Sequence, residues 1–314
     1  MENFIRSFWI FAVGLNSVLG QCWCEGLIPD GSIALSHTEG KGLGYSAGYS
    51  SLDLFLGMPL VQDLIVFTDC RGHAFNNGMR AGNVGLGLRH FSLCTGKIFG
   101  FNVVYDYLKN TQKTYSQIGA GFEILGECWD FHCNAYVPVG HIRKNIYRFN
   151  YAFYEQLKNE EATDLSFGLK AREQFALKSV DTLFGYRFCN IGCTDLHISG
   201  GPYCFWGRSA KTKNAFNAKH ECAVGGRFII DVLFKNYFVL TGTATYDPIF
   251  RWCCQGTLAI NIPFDFLWKQ QAECPSYIFH KKLYERLERN EIIAIDHLTR
   301  FTNNPNVLDP EHNP

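Results

Sequence analysis

Hydrophobic and polar residues alternate with a period of two along most of the chain. In the stretch NVGLGLRHF (83–91), Val84, Leu86 and Leu88 share one face, whereas the glycines, Asn83 and Arg89 share the other. Such alternation is typical of β-strands, because successive side chains of a strand point to opposite sides. Further stretches alternate in the same way: 44–57, 62–75, 97–110, 115–125, 129–140, 176–188, 194–206, 219–232, 236–247 and 250–264. The pattern predicts about eleven antiparallel strands, with 33–36 as a twelfth.

Glycine and arginine inside the 83–91 strand are unfavourable in the core of a soluble protein, since glycine weakens strands and a buried arginine needs a partner. A soluble β-sandwich would use the apolar face as its core. An outer-membrane barrel would turn the apolar face to lipid and the polar face to its lumen. Many predicted strands exceed ten residues, and aromatic residues gather near strand ends, as in interfacial girdles. These features favour an all-β protein, an antiparallel up-and-down transmembrane β-barrel of about 12 strands.

Two regions interrupt the alternation. Residues 141–170 are rich in charge and are predicted to form a loop with a helical turn. Residues 277–296 place apolar residues at helical spacing, and the last dozen residues, rich in Pro and Asn, are typical of disorder. We therefore predict an N-terminal segment over 21–41, the barrel over 42–264 and a partly helical C-terminal segment over 265–314.

The N-terminus resembles a secretory signal. Arg6 ends a short polar region, an apolar run covers 7–15, and small residues precede a cleavage site after Gly20. The apolar run is short for a membrane-spanning helix, which predicts a signal peptide over 1–20. Gln21 before Cys22 fits a lipoprotein signal poorly. Together with the strand pattern, this signal predicts a bacterial outer-membrane location after cleavage.

Composition limits the classes of function. The 314 residues carry a net charge of zero, so no nucleic-acid partner is expected. The mean hydropathy of −0.07 is too polar for a bundle of membrane helices. We find no nucleophile elbow, phosphate-binding loop or dinucleotide fingerprint in the sequence. Neither an enzyme nor a cofactor-binding protein is therefore predicted.

Thirteen cysteines in an exported chain indicate an oxidising compartment. Cys128 and Cys133 bracket one short segment, and Cys189 and Cys193 bracket another, so each pair is a candidate disulfide across a turn. Metal binding is the rival interpretation, since Cys189, Cys193 and His197 lie four apart. Because the sequence has no ligand set with paired close spacings, we expect no metal.

Arg89, Asp106 and Glu123 fall on the predicted lumen face of three successive strands. They could form a selectivity lining or a docking surface for a threaded segment. Alternatively, they could form a structural salt-bridge network. A 12-stranded barrel leaves little free space in its lumen, so the network is the favoured interpretation.

Four segments follow one another at short intervals: NVGLGLRHF, GFNVVYDY, IGAGFEIL and NAYVPVG. Their order and spacing resemble the β-domain of inverse autotransporters, the intimin/invasin family. The similarity is strongest over 79–140 and continues more weakly to 264. The richness in cysteine is similar to members from chlamydia-like bacteria. The resemblance implies a 12-stranded outer-membrane barrel that anchors and exports a C-terminal passenger through its lumen.

The chain departs from this family at both ends. Only about 50 residues follow Phe264, too few for an adhesin domain, and the peptidoglycan-binding module that precedes the barrel is not found. A structural or surface-exposed envelope protein is therefore expected, with the C-terminal segment plugging the lumen. The alternatives are a secreted, disulfide-stapled β-sandwich binding module and a small pore. The expected partners are outer-membrane lipid, the barrel-assembly machinery, and envelope or host-surface proteins, the last in keeping with a role in adhesion.

Overall fold

A computed structural model describes residues 30–61, 63–110, 113–140, 143–156, 163–191, 194–206, 222–234, 237–264 and 282–303. The predicted signal peptide and the predicted disordered C-terminus lie outside these residues. The first eight strands are β1 (Asp30–Gly40), β2 (Tyr49–Val61), β3 (Leu64–Phe75), β4 (Arg80–Ser92), β5 (Lys97–Lys109), β6 (Thr114–Leu125), β7 (Trp129–Val139) and β8 (Arg143–Gln156). The later strands are β9 (Thr163–Ala176), β10 (Lys178–Ile191), β11 (Thr194–Trp206), β12 (Cys222–Phe234), β13 (Phe238–Asp247), β14 (Arg251–Pro263) and β15 (Ile295–Asn303).

Twelve strands of the described chain form one closed antiparallel barrel. Consecutive strands are neighbours, except that β7 pairs with β10, and β1 closes the barrel against β14. Because closure leaves no unpaired edge, every barrel strand has its backbone groups bonded on both sides. The sequence-based prediction of a transmembrane barrel of about 12 strands is confirmed.

The two sides of the barrel wall have opposite character. On β4 the side chains of Val84, Leu86 and Leu88 point outward and are 43%, 54% and 45% exposed, whereas Asn83 and Arg89 point inward and are 3% and 1% exposed. The same alternation of burial runs along β5 and β6. A β-sandwich would bury the apolar face instead, so the sandwich alternative does not fit this fold.

The two ends of the barrel differ in the length of their connections. At one end, the short-turn end, a few residues join β2 to β3, β4 to β5, β6 to β7, β10 to β11 and β12 to β13. At the other, the long-loop end, lie residues 41–48, the last residue of β11 with the first of β12, and strands β8 and β9, which follow β7 and precede β10. A few residues also join β3 to β4, β5 to β6 and β13 to β14 at this end. In outer-membrane barrels short turns face the periplasm and long loops face the exterior.

Two of the predicted boundaries were wrong. The barrel begins at Asp30 rather than at residue 42, because β1 pairs with both β2 and β14. Residues 141–170 are not a loop, since β8 and β9 pair along their length as a hairpin and β15 extends it to three strands. Charged flanks concealed an alternating run in the sequence of β8, where Tyr147, Phe149 and Tyr151 recur at every second position.

The helix expected over 277–296 is also wrong in the described part of that stretch. Helical geometry is confined there to 282–283, and residues 284–294 are irregular. The apolar residues that suggested a helix pack at different heights of the lumen: Leu287 lies in one cluster, whereas Ile292 and Ile293 lie in another nearer the long-loop end. Among the described residues, no helix has the length and apolar character needed to cross a membrane.

Candidate functional site

Residues 282–294, here called the lumen segment, run through the inside of the barrel. At the short-turn end the Lys282 ammonium donates a hydrogen bond to the carbonyl of Gly126, in the β6–β7 turn. At the long-loop end Ile292 and Ile293 pack in a cluster that includes Phe75. The lumen segment thus connects the two ends of the barrel, and β15 follows it directly.

Arg89 fixes the first part of the lumen segment. Its guanidinium lies 2.6 Å from Glu123 Oε1, and its Nη1 donates to the carbonyls of Leu283 at 2.8 Å and Glu285 at 2.5 Å. The same group lies 4.9 Å from the centre of the Phe67 ring, a cation–π contact. A buried charge is tolerated only when it is paired and hydrogen-bonded, and Arg89 meets both conditions.

Asp106 fixes the middle of the lumen segment. Arg289 donates to both carboxylate oxygens of Asp106, at 2.8 and 2.6 Å, in the bidentate geometry that gives strong ion pairs. Asn83 and Gln117 donate to the same carboxylate at 2.6 and 3.2 Å. The structure therefore places Arg89, Asp106 and Glu123 inside the lumen. Their ion-pair network is also the docking surface for a threaded segment.

A second group of charged residues was missed at the sequence level. Arg71 pairs with Asp69 on the same face of β3 and with Glu291 of the lumen segment. Arg71 also donates to the carbonyl of Leu287 at 2.6 Å, while the Leu287 amide donates to Asp69 at 3.3 Å. Asp69 and Arg71 lie two apart on the polar face of a predicted strand, so the same alternation could have identified them.

Wall side chains also satisfy the backbone of the lumen segment, which has no regular hydrogen-bond ladder of its own. The amide of Asn290 donates to the Tyr136 hydroxyl at 2.8 Å, and Asn134 donates to the carbonyl of Glu288 at 3.2 Å. Leu287 packs against an apolar group on the wall, whose members are Phe55, Ile65, Phe67 and Val104. Specific contacts therefore hold the segment along its whole length.

An apolar layer covers the long-loop end. Leu43, in the connection between β1 and β2, packs in a buried cluster with Phe205, Phe250 and Ala294, the last residue of the lumen segment. In the same connection burial raises the pKa of Tyr45, which keeps its hydroxyl protonated. This layer closes the lumen around the point where the segment leaves it.

The two predicted disulfides have different outcomes. Cys133 carries a free thiol, and residues 129–139 form one extended strand. Four strand steps separate Trp129 from Cys133 by roughly 13 Å, and Cys128 is one residue of about 3.8 Å further back. The Cα atoms of Cys128 and Cys133 are therefore at least about 9 Å apart, whereas a disulfide needs them within about 7 Å. The Cys128–Cys133 disulfide is therefore not formed in this structure. Cys193 lies outside the described residues, so the Cys189–Cys193 disulfide stays a prediction.

Beside the lumen segment lies a cavity of about 320 Å³. It reaches the short-turn end, where Asp30 and Pro263 contribute to its lining. Deeper in the lumen it is lined by polar and titratable side chains, among them Asp130, His132, His197, Asp231 and Glu288.

Comparison with known proteins gives a family match over part of the chain and a likeness in fold. The model of the inverse autotransporter β-domain family matches residues 37–156. No curated protein matches the chain. A chain from the structural work "Unveiling the Mechanism Behind the in-meso Crystallization of Membrane Proteins" is similar with a TM-score of 0.57 and 14% identity, covering 85% of this chain and 99% of that chain. At this level of identity the likeness shows the fold alone.

Two further solved structures are less similar. The β domain of the Bordetella autotransporter BrkA gives a TM-score of 0.31 at 10% identity, covering 74% of this chain and 98% of that chain. The NanC porin gives a TM-score of 0.36 at 8% identity, covering 73% of this chain and 98% of that chain. These low scores add nothing to the fold assignment. Over residues 37–156, then, this chain matches the inverse autotransporter β-domain, the family that its four sequence segments resemble.

Proposed function

We propose that this protein is an outer-membrane barrel of inverse-autotransporter type whose lumen is closed by its own C-terminal segment. The observation that carries the proposal is the path of residues 282–294, which cross the lumen from the short-turn end to the long-loop end. By the usual orientation of such barrels, this path runs from the periplasm to the cell exterior.

The barrel would serve as an anchor for what lies at its outer end. There β15 continues from the lumen segment and pairs with β9, which in turn pairs with β8. We therefore assign a structural, surface-exposed role in the envelope, with this three-stranded sheet as the exposed element. The signal peptide would direct export and then be cleaved after Gly20, and insertion would rely on the barrel-assembly machinery.

A small pore is the competing function, and electrical recordings separate the two. Wild-type protein refolded in detergent should show no steady conductance in planar bilayers, because the lumen segment and the apolar layer at the long-loop end together block the channel. Deletion of 282–303 should open a steady current. A change in gel-electrophoretic mobility on heating would confirm in each sample that the barrel is folded.

Steady conductance of the folded wild-type barrel would contradict the closed-barrel proposal and favour the pore. If the deletion variant does not fold, Arg289→Met provides a milder test, since it removes the bidentate contact with Asp106. Brief openings should then appear that are absent from the wild type.

A further inference from the structure

We propose that Asp130, His197 and Glu288 form a binding site for a divalent transition-metal ion, with Zn²⁺ as the best fit. Asp130 lies on β7, His197 on β11 and Glu288 on the lumen segment. One ligand atom of each residue lies within 4.8 Å of those of the other two. This site is independent of the proposed role in the envelope.

The spacing suits direct coordination of one ion. His197 Nε2 lies 3.0 Å from Asp130 Oδ2. Zinc binds imidazole nitrogen and carboxylate oxygen at about 2.0–2.2 Å, which places neighbouring ligands of a tetrahedral site roughly 3.3 Å apart. Since the ligand atoms of all three residues lie within 4.8 Å of one another, side-chain movements on the order of 1 Å would bring them to this spacing. Mixed imidazole and carboxylate ligands suit Zn²⁺ better than Mg²⁺ or Ca²⁺, which prefer oxygen alone.

The side chains behind the ligands are arranged as in known metal sites. His197 directs Nε2 toward Asp130 and Nδ1 toward Asp231 Oδ2, which lies 3.4 Å away. A carboxylate on the far nitrogen fixes the ring and favours the tautomer that presents a lone pair to the metal. Ser199 donates to Glu288 Oε1 at 3.1 Å and so orients the third ligand.

One observation points to an occupant, and a second explains how the wall accommodates two of the ligands. Asp130 Oδ1 is buried and, within the described part of the chain, accepts no hydrogen bond. On the adjacent strand β10, residue 185 is a glycine, and a Cβ there would overlap Asp130 Oδ1 and His197 Nε2. The absence of a side chain at Gly185 makes room for these two ligand side chains themselves.

Carboxylates and imidazoles, the side chains that bind transition metals, are concentrated at the site. Asp130, Asp231 and Glu288 bring three carboxylates together, and the local imidazoles are those of His132 and His197. His132 Nε2 lies 3.4 Å from Glu288 and 3.5 Å from Asp130, within reach of a fourth coordination position. Arg187, Lys282 and Arg286 line the same cavity, so a divalent ion would join these cations in balancing the buried carboxylates.

The ion has a route into the site and a structural effect once bound. The cavity that the three ligands line extends to Asp30 at the short-turn end. Since Asp130 and His197 belong to the wall and Glu288 to the lumen segment, the ion would fasten the segment to the barrel. The ligands are far apart in sequence, which explains why spacing alone predicted no metal.

Metal binding by the full chain, refolded in detergent, tests the proposal. The cysteines are alkylated first, so that thiols do not contribute. We expect calorimetry to show one Zn²⁺ bound per chain and Co²⁺ to give the visible bands of a tetrahedral nitrogen and oxygen site. His197→Gln and Glu288→Gln should abolish both signals. Asp231→Asn should weaken affinity roughly 10- to 100-fold, as loss of an orienting group does.

His73→Gln is the matched control, since His73 is another buried lumen histidine and bonds to Ser51 and Asn83. Its affinity for Zn²⁺ should equal that of the wild type. The proposal would be overturned if wild-type protein binds no Zn²⁺ although its heat-modifiable gel mobility shows that it is folded. So would equal affinities of the wild type, His197→Gln and Glu288→Gln.

Discussion

The contact between Arg289 and Asp106 is expected to dominate the anchoring of the lumen segment. Both side chains are nearly inaccessible, at 4% and 1% exposure, and two hydrogen bonds join them. Arg289→Met removes one partner of this pair, which typically costs about 3–5 kcal/mol. Asp106 keeps its hydrogen bonds to Asn83 and Gln117, so we expect a cost at the lower end of this range, about 3 kcal/mol. This cost would shift the equilibrium between the seated and the released lumen segment roughly 100-fold toward release.

Hydrogen exchange of two backbone amides measures this change directly. The Leu287 amide donates to Asp69 and the Asn290 amide to Tyr136, so both are protected only while the lumen segment is seated. In Arg289→Met their protection should fall roughly 100-fold. Amides in the barrel strands should keep their protection.

Arg286→Met is the matched control on the same segment. Arg286 pairs with Asp53 at 2.9 Å, but its side chain is 40% exposed. Solvent screening limits such a pair to about 1 kcal/mol or less, so protection should fall less than about fivefold. Equal losses in the two variants, or unchanged protection in Arg289→Met, would refute the assignment of Arg289 as the main anchor.

Two further predictions concern the wall itself. Gly87→Ala should lower the free energy of unfolding in urea by about 1–3 kcal/mol, because the new Cβ would lie 2.7 Å from the backbone oxygen of Phe101. Gly82→Ala on the same strand is the control and should have a much smaller effect, since the nearest atom to its new Cβ is 3.4 Å away. Leu86→Arg on the lipid face should cost about 2–4 kcal/mol in lipid vesicles. Leu93→Arg, in the turn after β4, should lower the free energy of unfolding far less. Equal losses in the two variants would argue against lipid contact on the outer face of β4.

The barrel was largely predictable because its signal is local. A lipid-facing position and a lumen-facing position alternate along each strand, so Leu86 and Arg89 reveal the two sides of the wall within a few residues. Strand β8 escaped prediction because charged flanking residues resemble a loop. Strand β15 escaped because it pairs with β9, more than a hundred residues earlier.

The interior of the lumen was predictable only in part. Its wall residues Arg89, Asp106 and Glu123 follow from alternation, whereas their partners do not. The contacts of Arg89 with Leu283 and of Asp106 with Arg289 join positions that are more than 180 residues apart. Such contacts depend on the path of the lumen segment, which the sequence pattern of that segment does not reveal.

The most direct test of the account follows the end of the chain across the membrane. An epitope tag is placed after Pro314, and protease is added to intact cells that express the full protein. If the lumen segment runs from the short-turn end to the exterior, the tag should be removed while a soluble periplasmic protein stays intact. A tag that is lost only after the outer membrane is permeabilised would contradict the threaded path.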